Sequence, residues 1–444
     1  MDIPHGYKKT ELGVIPEDWV ICSINQLVDN NIIEKPLDGN HGNIHPKGKD
    51  YVSYGIPFIM ANSIHDGILD LNNCHFIKKE QADNLQKGFS LAGDVLLTHK
   101  GTVGNVTIVG KIFTPYIMLT PQVTYYRVKD SNKITNLFIR YFFESRKFQT
   151  ILQNFSGGGT RSYIGITKQK ELPFVLPPLA EQKAIAQSLS DVDALITAID
   201  QLITKKRNIK QGTMQQLLTG KKRLPGFGEG YSYKQTEIGE IPEDWNIVSY
   251  RDNLSIISGL GFKKAEYKNH GVKLLRIDNV SYGSIKWESI AHLPQDYAEK
   301  HKDLVIEEND ILLALNRPIT NGKLKIAIAK NTDIPAILYQ RVGKIIFLNQ
   351  TYNKKYAFYL LSKFIKKFVE ESAVGTDQPF ISTTNLKKYK IPLPPPEEQK
   401  AIAQILTDMD AEIEGLEKKL EKHKTLKQGM MQELLTGKTR LKYN

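Results

Sequence analysis

A long, proline-free amphipathic segment occurs twice in this sequence and constrains its fold more than any other feature. The first copy follows Pro177-Pro178, and the second follows Pro394-Pro395-Pro396, with Pro394 217 positions after Pro177. In both copies aliphatic residues recur at alternating steps of four and three. This spacing is typical of helices that supercoil, because each apolar side chain enters a hole on the facing helix. The seam residues are Ile185, Leu189, Val192, Ile196, Ile199 and Ile203, then Ile402, Leu406, Met409, Ile413, Leu416 and Leu420.

Both copies carry the same end signals. Each has a glutamate in its first turn, Glu181 or Glu398, where negative charge interacts favourably with the helix dipole. Each ends at a glycine, Gly220 or Gly437, which is followed by basic residues. A helix of about 35 to 40 residues is roughly 55 to 60 Å long at 1.5 Å per residue. The sequence therefore predicts two long helices of spacer length.

The partner predicted for each helix is the other copy. If the pair is antiparallel, it places one domain at each end, related by an approximate two-fold axis. The seam is interrupted at Lys206 and Lys210, so the alternative is that both segments are ordinary amphipathic core helices.

A second duplication marks the start of each half. Residues 7–19 and 233–245 share Tyr-Lys-x-Thr-Glu and Ile-Pro-Glu-Asp-Trp at an offset of 226. We divide the chain into a first domain at 1–175, a first long helix with its linker at 176–226, a second domain at 227–392 and a second long helix at 393–444. Short apolar runs at 55–62, 91–97, 271–278 and 307–313 predict strands. Helical spacing at 136–155 and 353–371 predicts helices that precede polar, glycine-bearing loops. The predicted fold is α+β: two mixed α/β domains with irregular sheets, separated by two antiparallel coiled-coil helices in a pseudo-two-fold repeat.

Composition favours a polyanionic partner. The formal net charge is +12, with a pI near 9.2, and a basic balance favours association with nucleic acid. No apolar run approaches the length that spans a bilayer, and the N-terminus lacks a signal pattern. We therefore expect a cytoplasmic protein without membrane contact. Cys22 and Cys74 are too few for a disulfide framework or a four-cysteine zinc site.

The repeated motifs in combination resemble the specificity subunit of type I restriction-modification enzymes. They are the doubled Leu-Pro-Pro…Glu-Gln-Lys, the doubled Leu-Leu-Thr-Gly-Lys and the doubled Glu-x-Gly-x-Ile-Pro-Glu-Asp-Trp, and they cover the whole chain. The resemblance implies two target-recognition domains, each of which binds one half of a bipartite double-stranded DNA sequence. It also implies docking of two modification subunits, with S-adenosylmethionine, and recruitment of ATP-driven restriction subunits. The cofactors S-adenosylmethionine, ATP and Mg are expected on those partners, and none on this chain.

Candidate DNA contacts lie after predicted strands and in the glycine-bearing loops. Arg, Lys, Asn and Gln recognise base edges, whereas phosphates accept hydrogen bonds from cations and hydroxyls. In the first half the candidates are His99, Lys100, Thr102, Thr160, Arg161 and Ser162, and in the second half Asn316, Arg317, Thr376 and Gln378. Further candidates are Arg127, Arg276 and Arg341. A solvated surface role remains open for each residue taken singly.

We find no catalytic motif in the sequence. No Asn/Asp-Pro-Pro-aromatic tetrapeptide of amino-methyltransferases occurs. Gly226–Gly230 follows a helix and is predicted to be a linker, and Gly437-Lys438-Thr439 lacks the first glycine of a phosphate-binding loop. His41 and His45 have metal-like spacing, but we predict no metal site and no catalytic residue. The first hypothesis is thus a DNA-recognition subunit without activity; the alternatives are a coiled-coil adaptor that binds only protein and a complete restriction-methylation enzyme.

Overall fold

The computed structural model describes residues 3–157, 162–230, 232–348, 352–372, 381, 383–386 and 389–441. The chain divides into two compact units: Met1–Asp200 with Lys418–Asn444 forms the first unit, and Gln201–Glu417 forms the second. Both division points fall inside long helices. Each unit therefore combines one domain with part of both helices, whereas the sequence-based division treats each helix as a separate segment.

Short strands and a few helices build both domains. The helices are α1 (Ile24–Asp29), α2 (Lys79–Asp83), α3 (Asn136–Glu144), α4 (Arg146–Ser156), α5 (Ile166–Gln169), α6 (Leu179–Leu217), α7 (Tyr250–Asn253), α8 (Tyr297–Lys300), α9 (Lys354–Ser372), α10 (Thr383–Leu386) and α11 (Pro396–Leu434). The strands of the first unit are β1 (Tyr7–Thr10), β2 (Gly13–Pro16), β3 (Val20–Ser23), β4 (Leu37–Asp38), β5 (Tyr51–Val52), β6 (Ile56–Ile59), β7 (Ile64–His65), β8 (Ile68–Leu69), β9 (His75–Ile77), β10 (Phe89–Ser90), β11 (Val95–Thr98), β12 (Val106–Ile108), β13 (Ile117–Leu119), β14 (Val123–Tyr126) and β15 (Pro173–Leu176). Those of the second unit are β16 (Tyr233–Thr236), β17 (Gly239–Pro242), β18 (Asn246–Ser249), β19 (Leu254–Ser258), β20 (Val272–Leu275), β21 (Tyr282–Gly283), β22 (Ala291–Leu293), β23 (Ile311–Ala314), β24 (Ile319–Thr320), β25 (Lys323–Leu324), β26 (Ile326–Ile328), β27 (Ala336–Leu338), β28 (Val342–Phe347) and β29 (Lys390–Leu393).

Two sheets form the body of the first unit, in the orders β10-β13-β6-β9-β5 and β12-β11-β14-β4. All four residues of β11 are buried, which is why a short continuous apolar run forms a strand here. β11 and β14 are antiparallel, with Thr98 opposite Val123. The end of β11 and the start of β14 therefore lie at one edge of the sheet.

The second unit repeats this plan with different residues. Its larger sheet has the order β19-β28-β23-β26-β21, beside a smaller sheet β22-β20-β27. β23 is buried along its whole length and pairs antiparallel with β28, with Ala314 opposite Val342. The predicted α+β fold with an internal repeat is confirmed, and the repeat extends into domains whose sequences differ.

Both long helices, α6 and α11, contain 39 residues, as the seam predicts. In the first unit, the core includes Ile185 and Leu189 near the start of α6 together with Leu434 at the end of α11. In the second unit, Leu217 near the end of α6 shares a core with Ile402 in α11. The helices thus pair in antiparallel fashion within each unit, and their ends also serve as core helices of the domains. None of the described helices combines the length and apolarity needed to span a bilayer.

The seam faces inward along both helices. Its buried members are Ile185, Leu189, Ile199, Ile203, Ile402, Leu406, Ile413 and Leu420, and its half-buried members are Val192, Ile196, Met409 and Leu416. At Lys206 and Lys210, where the apolar seam is interrupted, ion pairs replace the apolar contacts between the two helices. Lys206 Nζ lies 2.6 Å from Glu412 Oε1, and Lys210 Nζ lies 2.5 Å from Asp410 Oδ1.

A tyrosine, an aspartate and a lysine join each domain to the helix pair. In the first unit, the Tyr141 hydroxyl donates to Asp193 Oδ2 at 2.9 Å, and Lys427 Nζ lies 2.7 Å from Asp193 Oδ1. The second unit has the same set, in which Tyr359 donates to Asp410 at 2.7 Å and Lys210 pairs with that carboxylate. Each set connects a domain helix to both long helices.

The repeated sequence motifs converge in each unit on an ion-paired joint around a buried glutamate. In the first unit, Trp19 Nε1 donates to Glu181 Oε2 at 2.8 Å, and Arg440 bridges Glu181 and Asp18 with contacts of 2.6 to 3.0 Å. These hydrogen bonds raise the pKa of Arg440. The second unit has the same joint, formed by Trp245, Glu398, Arg223 and Asp244. The first-turn glutamates therefore do more than interact with the helix dipole, because their side chains are buried.

Glycines end both long helices, as predicted. Gly220 and Gly437 each have φ of 70°, a left-handed conformation. A Cβ on either glycine would lie 2.4 Å from the ring of Pro242 or Pro16. The two positions require glycine for conformation and for space.

One predicted helix differs from the structure. The segment 136–155 forms α3 and α4 because Ser145 is extended, with φ −63° and ψ 142°, and its hydroxyl accepts from the Phe148 amide. Ser145 therefore ends one helix and caps the next. The matching segment of the second unit stays continuous as α9.

Candidate nucleic-acid interface

One edge of the β11 sheet brings together several polar loop segments in the first unit, with His41, Lys100, Thr102 and Tyr163 exposed. β4 pairs with β14 so that Asp38 lies opposite Thr124, and Thr98 lies opposite Val123. The segments that leave these strand ends are residues 38–41, 98–102 and 121–123. Together with residues 162–163 we call them the first sheet edge.

Lys100 and the end of the glycine loop meet at this edge. Lys100 forms an isolated antiparallel bridge with Tyr163, and its Nζ lies 5.8 Å from the centroid of the Tyr163 ring. Lys100 and Thr102 are exposed, whereas Ser162 is half-buried. The structure thus brings together two predicted segments whose paired residues, Lys100 and Tyr163, are 63 positions apart in the sequence. Thr160 and Arg161 lie outside the described residues.

His99 is a structural residue, and its prediction as a DNA contact is wrong. The ring is fully buried. Its Nε2 lies 3.1 Å from the Pro121 carbonyl oxygen, and its Nδ1 lies 2.6 Å from Thr124 Oγ1. Because a carbonyl only accepts, Nε2 carries the proton and Nδ1 accepts from the threonine hydroxyl. Burial lowers the pKa of His99 to about 4, so the ring is neutral at physiological pH.

His41, whose spacing from His45 resembles that of metal ligands, also lies at this edge. Its Nε2 lies 2.7 Å from Asp38 Oδ2, and its side chain is 52% exposed. Lys87 contacts the other Asp38 oxygen. Burial raises the pKa of Asp38, but hydrogen bonds from Lys87 and His41 outweigh it and lower the pKa. Among the described residues, no three His, Cys, Asp or Glu side chains are placed to hold a metal ion.

The corresponding edge of the second unit carries Asn316, Arg317 and Arg341. Asn316 and Arg341 line a shallow surface pocket with Ser258 and Leu315. Arg317 and Arg341 are exposed, with left-handed φ of 46° and 70°. We call residues 258–261, 314–317, 340–342 and 381 the second sheet edge. The predicted contacts Thr376 and Gln378 lie outside the described residues.

The same backbone hydrogen bond closes both edges. The Ile164 amide donates to the His99 carbonyl at 3.1 Å, and the Ile381 amide donates to the Leu315 carbonyl at 3.1 Å. In each unit this bond ties the end of the glycine-bearing loop to the residue after the central strand. Ile164 and Ile381, which follow the two loops in sequence, are therefore held at equivalent positions.

Two predicted arginines belong elsewhere. Arg127 follows the far end of β14, away from the first sheet edge, and forms ion pairs with Asp94 at 2.8 Å and Glu34 at 3.2 Å; its role as a DNA contact stays a prediction. Arg276 follows β20, and its guanidinium donates to Ser289 Oγ at 2.8 Å. It is half-buried and lies in the neighbouring sheet of the second unit.

The chemistry of the two edges suits a nucleic acid. Exposed Lys and Arg side chains can pair with phosphates, and Asn, Arg and hydroxyl groups can bond base edges. The first edge offers Lys100, Thr102 and His41, while the second offers Asn316 and two arginines. Tyr163, His41 and Ser258 were missed in the sequence because their places depend on strand pairing. His41 follows β4 by three positions and Ser258 ends β19, so a polar residue at or shortly after the end of a short strand is a signal that could have found these two.

Comparison with known proteins agrees with this architecture. The family model described as the type I restriction modification DNA specificity domain matches residues 16–211 and 242–423. The type I restriction enzyme MjaVIII specificity subunit of Methanocaldococcus jannaschii is 37% identical over 96% of this chain and 94% of its own length. The putative type I restriction enzyme MjaX specificity subunit of the same organism is 31% identical over 98% of this chain and 97% of its own length. Among solved structures, a type I restriction-modification S subunit from M. genitalium superposes with a TM-score of 0.57 at 15% identity, over 98% of both chains.

Proposed function

This chain belongs to the specificity subunits of type I restriction-modification systems, and we propose that each of its sheet edges binds one half of a split double-stranded DNA target. The observation that carries the proposal is the pair of equivalent edges, each closed by the same backbone hydrogen bond at 3.1 Å. The target is asymmetric because the two edges present different side chains. Lys100 and Thr102 are exposed in one unit, and Arg317 and Arg341 are exposed beside the half-buried Asn316 in the other.

Base recognition and phosphate contact fall to different residues in this proposal. Asn316 and Arg341 share one pocket, so an amide and a guanidinium are placed for neighbouring base edges in the major groove. Lys100 is a point charge that suits a phosphate or a guanine edge. Thr160, Arg161, Thr376 and Gln378 remain candidates for the same surfaces.

Partner docking is assigned to the long helices. Beside the buried seam, α6 has a second apolar stripe at seven-residue spacing, formed by Leu195, Leu202 and Ile209, which are 39 to 45% exposed. Exposed aliphatic residues at heptad spacing favour a further helix as partner. We assign this stripe to one of the two modification subunits expected to bind the repeated chain; at the matching positions α11 carries Glu412, Lys419 and Leu426.

Catalysis belongs to those partners in this proposal. The modification subunits carry S-adenosylmethionine, and the restriction subunits carry ATP and Mg. This chain supplies target choice without a reaction of its own, and it acts in the cytoplasm, where the DNA of its cell is present. It makes no membrane contact.

The test is a genome-wide map of methylated sites with the chain present, deleted and altered. Lys100→Ala should change or weaken recognition of one half-site only, and Asn316→Ala should do so for the other. The matched control is Lys111→Ala, an exposed lysine after β12 and away from the first sheet edge. Methylated sites that are identical with and without this chain would overturn the proposal. An equal loss for all DNA sequences would reassign the altered residue to phosphate contact.

A further inference from the structure

The connection after the central strand is longer in the second unit than in the first. The Thr98 amide donates to the Asn105 carbonyl at 2.9 Å, and the Ala314 amide donates to the Lys325 carbonyl at 3.0 Å. These equivalent bonds enclose residues 99–104, which are six, and residues 315–324, which are ten. The second unit therefore has four extra residues at its sheet edge.

The extra residues form a β-hairpin. β24 and β25 pair with Ile319 opposite Leu324 and Thr320 opposite Lys323. Asn321 and Gly322 make the turn with φ of 51° and 69°. Two successive positive φ angles give the turn whose twist matches a two-residue hairpin, and Asn-Gly is its favoured sequence. We call Ile319–Leu324 the Asn321 hairpin.

The base of the hairpin is anchored while its tip is free. Leu324 is buried in the core of the second unit. The Tyr282 hydroxyl donates to the Thr320 carbonyl at 3.3 Å, and Lys323 Nζ lies 5.7 Å from the Tyr282 ring centroid. At the tip, a Cβ built on Gly322 meets no atom within 4 Å. The hairpin therefore presents its turn to solvent from a fixed base.

All charged residues of the hairpin and the residues that flank it are basic. Residues 315–325 contain Arg317, Lys323 and Lys325 but neither Asp nor Glu. Arg317, Thr320, Asn321 and Lys323 are exposed, whereas Lys325 donates inward to the Ile277 carbonyl. The segment starts at the pocket of Asn316 and Arg341. A cationic two-stranded ribbon with an amide at its tip has dimensions that the major groove of DNA admits.

We propose that the Asn321 hairpin enters a groove of the second half-site, where Asn321 contacts a base edge and Arg317 and Lys323 contact phosphates. This inference rests on the proposed function. It assigns to the second unit a recognition element that the first unit lacks, because the first unit connects the same strands by a short turn.

The experiment uses the complete complex with modification subunits. Wild-type chain is compared with Asn321→Ala, Lys323→Ala and a deletion of Thr320–Lys323, which shortens the connection to the six residues of the first unit. Methylation of plasmid libraries randomised in either half-site gives the recognition profile, and fluorescence anisotropy gives affinity for the wild-type target. Thermal unfolding is measured for each variant. Lys111→Ala is the matched lysine control.

Asn321→Ala is expected to relax discrimination about tenfold at one or two positions of the second half-site, with the first half-site unchanged. Lys323→Ala and the deletion should weaken target binding at least severalfold, and Lys323→Ala should lower the salt dependence. The inference is overturned if the Lys323→Ala variant binds and methylates as wild type does, or if the variants lose assembly with the modification subunits instead of DNA affinity. A wild-type complex without sequence preference would overturn the proposed function itself, and the hairpin assignment with it.

Discussion

Arg440 Nε lies 2.6 Å from Glu181 Oε1, although the two residues are 259 positions apart in the sequence. The bond ties the segment after the second long helix to the start of the first helix within one unit. Arg223 makes the same contact with Glu398 at 2.6 Å in the other unit. Both glutamate side chains are buried, so each arginine neutralises a charge that water cannot reach.

Arg223→Ala is predicted to lower the free energy of unfolding by about 3 to 5 kcal/mol, because it leaves Glu398 charged and buried. Arg440→Ala should lower the free energy of unfolding by less than Arg223→Ala, since the Arg440 side chain is 35% exposed and that of Arg223 is 10% exposed. Urea unfolding measures both, with exposed Lys222→Ala as the control. The double variant Arg223→Ala with Glu398→Gln should recover part of the loss. A loss of unfolding free energy equal to that of Lys222→Ala would contradict a stabilising role of the joint.

The buried His99 ring is predicted to make stability depend on pH. The pKa of His99 is lowered from 6.5 to about 4 in the folded chain, so the unfolded chain binds the proton first as pH falls. The neutral His99 ring makes its full contribution to the free energy of unfolding above pH 6.5. This free energy falls by roughly 3 kcal/mol in all as pH falls towards 4. His99→Gln should flatten the stability profile in this window, whereas exposed His65→Gln should leave it unchanged. A profile that His99→Gln does not alter would refute the prediction.

The exposed stripe of α6 is predicted to be needed for assembly. Leu202→Glu with Ile209→Glu should prevent co-elution with the modification subunit in size-exclusion chromatography, while circular dichroism stays that of the wild type. These positions make a better test than Ile199 or Ile203, which are buried in the seam and would disturb folding. Gln201→Glu with Asn208→Glu, at exposed polar positions, is the matched control. Assembly of the stripe variant at wild-type affinity would show that the stripe has another role.

Helix length is predicted to set the gap between half-sites. Seven residues inserted in both long helices, after Asp200 and after Glu417, add about 10 Å at 1.5 Å per residue. This length corresponds to about three base pairs of B-DNA. Methylation mapping should find a longer gap with both half-sites unchanged. Seven residues inserted in the linker at Gly226 serve as the control, and changed half-sites with the original gap would argue against the spacer.

The sequence alone predicted the parts of the fold that depend on local spacing. The 4-3 seam predicts both long helices, and Gly220 and Gly437 predict their ends because a left-handed residue ends a helix locally. Their close approach to Pro242 and Pro16 depends on the fold and is not visible in the sequence. The break at Lys210 looked like an interruption, since its partners Asp410 and Tyr359 are distant in the chain. Glu181 was recognised as a first-turn residue, but its burial requires Trp19 and Arg440 to converge on it.

The candidate site was predictable only in part for the same reason. Lys100 followed a predicted strand, and it lies at the sheet edge. His99, its neighbour, points into the domain because Thr124 and Pro121 of a later strand and turn bind its ring. Arg127 was chosen for its charge, whereas Asp94 and Glu34 neutralise it. A polar residue is exposed only when no residue distant in the sequence binds its side chain. Which distant residues come close is decided by the pairing of the strands.

The side chains of the Trp19, Glu181, Asp18 and Arg440 joint all lie outside residues 20–175, and those of its counterpart lie outside residues 246–392. Each intervening stretch is therefore a cassette with fixed attachment points. Replacing one cassette by another of similar size leaves this joint chemically intact, and a tyrosine at the place of Tyr141 or Tyr359 would restore the second contact with the helix pair. A lineage can thereby acquire new DNA preferences without rebuilding its assembly.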